Sequence, residues 1–139
     1  NALVYLNEYL FALENGITFS LGNKYDVEHI MPYSGHNLPE IRKDALIANE
    51  EEFYRTANKL GNKILLEEKI NRSIGNEWFR TKISTTLKEK TGYVDSQYPI
   101  ATALVAKYKD TLRPFWTKDD IAKATENACE RILKFIFGN

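Results

Sequence analysis

Cysteine occurs once in the 139 residues, at position 129. That excludes an internal disulfide and any zinc site built on paired thiolates, and it suits a reducing compartment. Long apolar runs are missing too. No stretch approaches the roughly 18 to 20 residues that cross a bilayer, and the first residues lack the charged-then-apolar pattern of a secretory signal. A cytoplasmic chain with no membrane segment is expected. Net charge is zero, with 19 basic and 19 acidic residues, so no overall cationic surface is available to hold polyanions non-specifically. Internal repeats and low-complexity tracts are absent. The chain opens on Asn1 rather than an initiator methionine, from which we expect residues 1–139 to be one domain excised from a longer multidomain protein.

What is present suffices for one core: 43% of residues are apolar and 12% aromatic, in a length that suits a single domain. Leu3, Leu6, Leu10 and Leu13 recur at helical spacing over 2–14, with Tyr9 and Phe11 widening the apolar face and Asn15-Gly16 as a stop. Tyr25 to Ile30 alternates as a strand that ends at Met31-Pro32. The segment 41–60 reads as mostly helical with Phe53 and Leu60 inward, Gly61 closes it, and 62–66 is a second short strand. Asn76 is placed to cap a helix over 77–88 whose buried stripe is Trp78, Phe79, Ile83 and Leu87. Pro99 opens another helix. Thr117 with Asp120 approximates a capping box for a last helix over 118–137, with Ile121, Ala124, Ala128, Ile132, Phe135 and Ile136 on one side and Cys129 expected as a core filler. The predicted class is α+β, mainly helical, with a small two-stranded motif embedded between N- and C-terminal helices.

Charge is uneven along this frame. Between Arg55 and Lys90 stand nine basic and four acidic residues, so that window carries +5 and the remainder −5. The window surrounds the residues with the most chemistry. Glu28 and His29 are adjacent at the end of the first strand, and their side chains leave on opposite faces unless the chain bends there, which Pro32 allows. A glutamate supplies the hard oxygen that magnesium prefers, and an imidazole titrates near neutrality, as a general base should. Magnesium keeps several waters, so one carboxylate and one carboxamide oxygen suffice beside a substrate phosphate.

The element Asp26-Val27-Glu28-His29-Ile30-Met31-Pro32, with Leu60-Gly61-Asn62-Lys63-Ile64-Leu65-Leu66 and Asn71, resembles the His-Asn-His (HNH) nuclease motif of the ββα-metal fold. The variety most similar to it is the C-terminal nuclease domain of GmrSD-type restriction enzymes, in which a Glu-His-Ile-x-Pro element precedes Leu-Gly-Asn, an apolar strand and a later asparagine. The HNH module of RNA-guided CRISPR nucleases is similar in its second half, with its two asparagines spaced as Asn62 and Asn71 are. Phe79 with Lys82, Ser96 and Trp116-Thr117 also recur in the restriction family, so the resemblance spans most of the chain. It implies His29 as general base, Glu28 and Asn71 as ligands of one Mg2+ or Mn2+, and Asn62 as the residue that fixes the loop and supports the histidine. Lys82 would be a phosphate contact, and Lys63 and Arg72, basic residues of the same window, are expected to contact nucleic acid as well. It further implies DNA as substrate, products with a 5′ phosphate, a role in antiphage restriction, and a regulatory or sensing N-terminal domain as partner. Asn71 replaces the second histidine of the family name, Tyr33 stands where glutamine is frequent, and Lys63 stands where an apolar residue is frequent.

Other readings of the same residues stay open. Asn62 after a glycine also suits a helix-ending turn, and Asn71 also suits a helix cap. His36, within Ser34-Gly35-His36-Asn37, is read as a loop residue, and Asp26 as a polar residue at the strand end. The aromatics Trp78, Phe79, Phe115 and Trp116 fall at core spacing rather than as a stacking platform for bases. At the level of function the alternatives are a non-cleaving nucleic-acid-binding or protein-interaction module with a decayed site, and a nuclease that cuts RNA.

Overall fold

The computed structural model describes residues 1–22, 24–84, 92–112 and 114–138. It is mainly helical α+β. Helix α1 (Ala2–Glu14) leads into strand β1 (Tyr25–His29), short helices α2 (Leu38–Asp44) and α3 (Glu50–Ala57), a 3-10 turn over Leu60–Asn62, strand β2 (Lys63–Glu67) and helix α4 (Glu68–Ile74). Then come α5 (Phe79–Ile83), a 3-10 turn over Tyr93–Asp95, α6 (Pro99–Tyr108) and α7 (Lys118–Phe137). β1 and β2 pair antiparallel with Asp26 opposite Leu66, Glu28 opposite Ile64 and His29 opposite Lys63. Directly opposed residues share a face. Ile64 and Leu66 therefore pack with Ile30, Ile70, Ile74 and Ile121 in the main core, whereas Leu65 joins Val4 and Tyr98 on the other side.

α1 is a helix as predicted, but it buries a different face. Leu3 and Leu13 are exposed, and Val4, Asn7, Glu8, Leu10 and Ala12 face inward. The reason is polar. Glu8 Oε1 accepts the Leu65 N–H at 3.2 Å and Oε2 accepts the Ile100 N–H at 2.7 Å. One carboxylate thus satisfies the outer edge of β2 and an unpaired donor in the first turn of α6, where no helix partner exists.

The segment read as mostly helical over 41–60 is broken at Ala45–Asn49. Leu46 takes φ 63°, and the Asn49 side chain accepts the Glu52 N–H at 2.8 Å to restart the chain as α3. The described part of the helix expected over 77–88 is α5 alone, with Trp78 rather than Asn76 at its N-cap position; Leu87 lies outside the described residues.

The capping box of α7 forms as read, with Thr117 N–H donating to Asp120 Oδ2 at 2.8 Å and Asp120 N–H donating to Thr117 Oγ1 at 3.3 Å. Ile121, Ala128 and Ile132 are buried, but Phe135 and Ile136 are exposed because the helix runs on past the core. Cys129 is exposed rather than a core filler.

Gly61 has a role beyond ending a helix. A Cβ there would meet the backbone of α7, including Ile121 O at 2.6 Å, and the Gly61 N–H donates to Thr125 Oγ1 at 2.9 Å. Only glycine lets the last helix lie directly on the turn before β2.

Candidate active site

β1 ends at His29, and the turn that follows is held from behind by Asn62. The Asn62 side chain is fully buried: Oδ1 accepts the Met31 N–H at 2.8 Å and the Trp116 indole N–H at 3.0 Å, and Nδ2 donates to the carbonyls of Met31 and Ala57, both at 3.0 Å. The Asn62 carbonyl also accepts the Ile30 N–H at 2.9 Å. Every donor and acceptor of that carboxamide therefore has a partner, which pins the course of the chain just after the histidine.

Glu28 is buried too, at 4% exposure. Its Oε2 receives the Lys82 ammonium at 2.8 Å and the Tyr93 hydroxyl at 2.6 Å. Lys82, expected from the sequence at a phosphate, is instead fully buried; its other donors go to the carbonyls of His29 at 2.8 Å and Ile30 at 3.1 Å. Those three acceptors match its three N–H groups. Burial pushes the Lys82 ammonium below the ordinary lysine value, opposed by the Glu28 charge and hydrogen bond, and burial pushes the Tyr93 hydroxyl well above its ordinary value, with the adjacent Glu28 charge adding to the rise. No bond among the described residues falls on Glu28 Oε1.

His29 is half-buried, with its ring edge-on to Tyr33 at 4.7 Å between centroids. Burial, then the positive charges of Lys63 and Lys82, lower its pKa to about 4. The imidazole is neutral at physiological pH and able to accept a proton.

Asn71, on α4, donates from Nδ2 to Asp26 Oδ2 at 2.8 Å. A carboxylate oxygen only accepts in such a pair, so the amide nitrogen must face Asp26 and the carbonyl oxygen faces away. Asp26, read as a polar strand-end residue, thereby orients this side chain. Glu28, His29 and Asn71 line one cleft of about 200 Å3 together with Tyr33, Ser34 and Asn76.

Lys63 is half-buried opposite His29 across the strand pair. Arg72 is exposed on α4 and pairs with Glu68 at 3.0 Å. His36 is exposed and does not line the cleft. Sequence reasoning missed Tyr93 and Glu8, since neither a tyrosine before a turn nor a glutamate within an apolar helix signals a long-range partner. Trp116 had been read as packing; its ring does stack on Phe79, but its N–H holds Asn62.

Among the described residues no three side chains drawn from histidine, cysteine, aspartate and glutamate cluster as a metal cage. The polar side chains lining the cleft, Glu28, Asn71, Asn76, Ser34 and Tyr33, offer hard oxygens beside one imidazole. That set fits a divalent ion that retains most of its water, such as Mg2+ or Mn2+, better than a closed structural zinc site.

The model of GmrSD restriction endonucleases, C-terminal domain, matches residues 2–131. The chain belongs to this family. In comparisons with curated proteins and with solved structures, nothing matches. The matched span runs from α1 to within α7, so the family segment includes the ββα unit of β1, β2 and α4 and the helices on both sides of it. No described helix of this GmrSD-type domain is long and apolar enough to cross a membrane.

Proposed function

We propose that the chain is a metal-dependent DNA endonuclease of the HNH type, using one Mg2+ or Mn2+ and serving in antiphage restriction under a sensing domain N-terminal to it in a longer protein. One observation carries this reading. In a chain of a restriction endonuclease family, a neutral imidazole, a buried carboxylate with one oxygen unengaged among the described residues, and an oriented carboxamide converge on a single cleft.

Neutral His29 takes a proton from a water in the cleft, and the water oxygen bonds to phosphorus. The bond from phosphorus to the 3′ oxygen breaks and that oxygen takes a proton from water, leaving a 3′ hydroxyl and a 5′ phosphate, and His29 gives its proton up to solvent. Glu28 and Asn71 would hold the ion, which when bound would supply positive charge to the phosphate oxygens as they become more negative. Asn62 fixes the turn so that His29 does not swing away. Lys63 and Arg72 lie on the edges of the same unit and contact neighbouring phosphates.

Supercoiled plasmid incubated with the chain and Mg2+ is expected to become nicked or linear, and chelator is expected to stop this. Metal-dependent cutting that persists at full rate in a folded His29→Ala variant would overturn the assignment of the base. Preferential digestion of structured RNA over plasmid would move the substrate to RNA.

A further inference from the structure

We infer that Lys82, seconded by Tyr93, makes metal uptake conditional on the phosphodiester: the pair neutralises and orients Glu28, so the cleft holds its ion tightly only once a phosphate is present. The inference rests on the nuclease reading above and goes further, to the order in which the site fills.

Glu28 is the ligand carboxylate, yet its Oε2 already carries an ammonium at 2.8 Å and a phenol hydroxyl at 2.6 Å, with Lys82 and Tyr93 both fully buried. Lys82 cannot swing away. Its remaining donors grip the His29 and Ile30 carbonyls, so moving it would break three bonds in a buried place. Among the described residues Glu28 is the one acidic side chain lining the cleft, and the Lys82 ammonium in contact with it offsets that charge. A divalent ion entering such a site brings two uncompensated charges into a partly desolvated place, and a phosphodiester supplies one of the missing negative charges. Metal and DNA then favour each other, and by linkage each raises affinity for the other equally. The same two bonds on Oε2 hold the carboxylate with Oε1 as its available atom, so Lys82 and Tyr93 are positioning residues. Lys82 also ties the metal ligand to the backbone of the base, one residue on.

Calorimetry tests this with Mn2+ titrated into the His29→Ala chain, which removes cleavage. Titrations run with and without a saturating short DNA duplex, the uptake by duplex alone being subtracted. Mn2+ is expected to bind about tenfold tighter with duplex present. Adding Lys82→Met should tighten binding without duplex and bring the two affinities together. Tyr93→Phe keeps the buried ring and the charge balance and removes only the hydrogen bond that stabilises the Glu28 carboxylate in competition with an ion, so it reads this smaller part of the effect if Lys82→Met does not fold; a rise of about threefold without duplex is expected. Equal Mn2+ affinities with and without duplex would overturn the coupling while leaving the nuclease reading intact. A lower melting temperature in Tyr93→Phe with unchanged Mn2+ affinities would reduce the pair to a structural role and overturn the inference. No Glu28-dependent uptake even with duplex would overturn the proposed function and the coupling with it.

Discussion

Two asparagines at the two ends of one strand-to-helix unit divide the molecule into a closed region and an open one. Asn62, behind the end of β1, makes four side-chain hydrogen bonds to protein and has no exposure. Asn71, at the cleft, makes one, and its side-chain Oδ1 has none among the described residues. The same carboxamide is a fastener in one place and leaves an acceptor open in the other. Residue type alone does not separate chemistry from architecture; the count of satisfied atoms does. Lys82 and Arg72 divide the same way, one cation sealed by three acceptors and the other on the surface beside Glu68.

The largest effect that sharpens this contrast is expected from Asn62→Ala. It strands the Met31 N–H and carbonyl, the Ala57 carbonyl and the Trp116 N–H in a buried place, at about 1 kcal/mol or more each. Urea denaturation should show a loss of about 4 kcal/mol, a large part of the roughly 5 to 15 kcal/mol that holds a domain folded. A loss under 1 kcal/mol would break the comparison.

The closed region also contains Glu8, whose burial raises its pKa from 4.5 to about 7 despite two backbone N–H donors. The folded state therefore keeps a proton that the unfolded chain releases near 4.5. Between these values Glu8 binds more protons in the folded form, so its contribution to stability falls as pH rises from about 4.5 through about 7, by on the order of 3 kcal/mol. His29, whose pKa falls from 6.5 to about 4, contributes the opposite slope over nearly the same range, so the Glu8 contribution is read by difference: the stability of Glu8→Gln should rise with pH relative to the parent chain, and parallel pH profiles of the two would contradict it.

Asn71→Ala tests the open region. Plasmid cutting should fall about 100-fold while the melting temperature moves little, since the amide reaches only Asp26. Should the melting temperature collapse instead, Asn71 belongs with Asn62. The smallest effect is expected from Arg72→Ala. Its pair with Glu68 is an exposed helix contact worth less than 1 kcal/mol, so stability should hold and only the salt dependence of DNA binding should soften.

Much of this arrangement was legible. The two strands, α1 and α7 follow from periodicity, and Thr117 with Asp120 announced its own cap. The convergence of Glu28, His29 and Asn71 was legible only through the resemblance, because no local rule tells that residues 28 and 71 share a cleft. Asn49 with Glu52 three positions on was a restart signal available inside the segment read as one helix. Lys82 was misleading for a physical reason. A lysine on a polar-looking helix is usually solvated, and only the convergence of Glu28, His29 and Ile30 on it explains a buried ammonium. The buried face of α1 was hidden likewise, since hydrophobic spacing favours Leu3 and Leu13 whereas the partners of Glu8 at positions 65 and 100 decide the rotation.

The close approach of α7 to Gly61 has a consequence in time. The turn before β2 relies on Thr125, and the carboxamide behind the histidine relies on Trp116. A nascent chain carries Glu28, His29 and Asn71 out of the ribosome tens of residues before these supports. Those side chains are then present before the contacts that hold their turn, so the cleft reaches the geometry described above only when the last helix packs on Gly61.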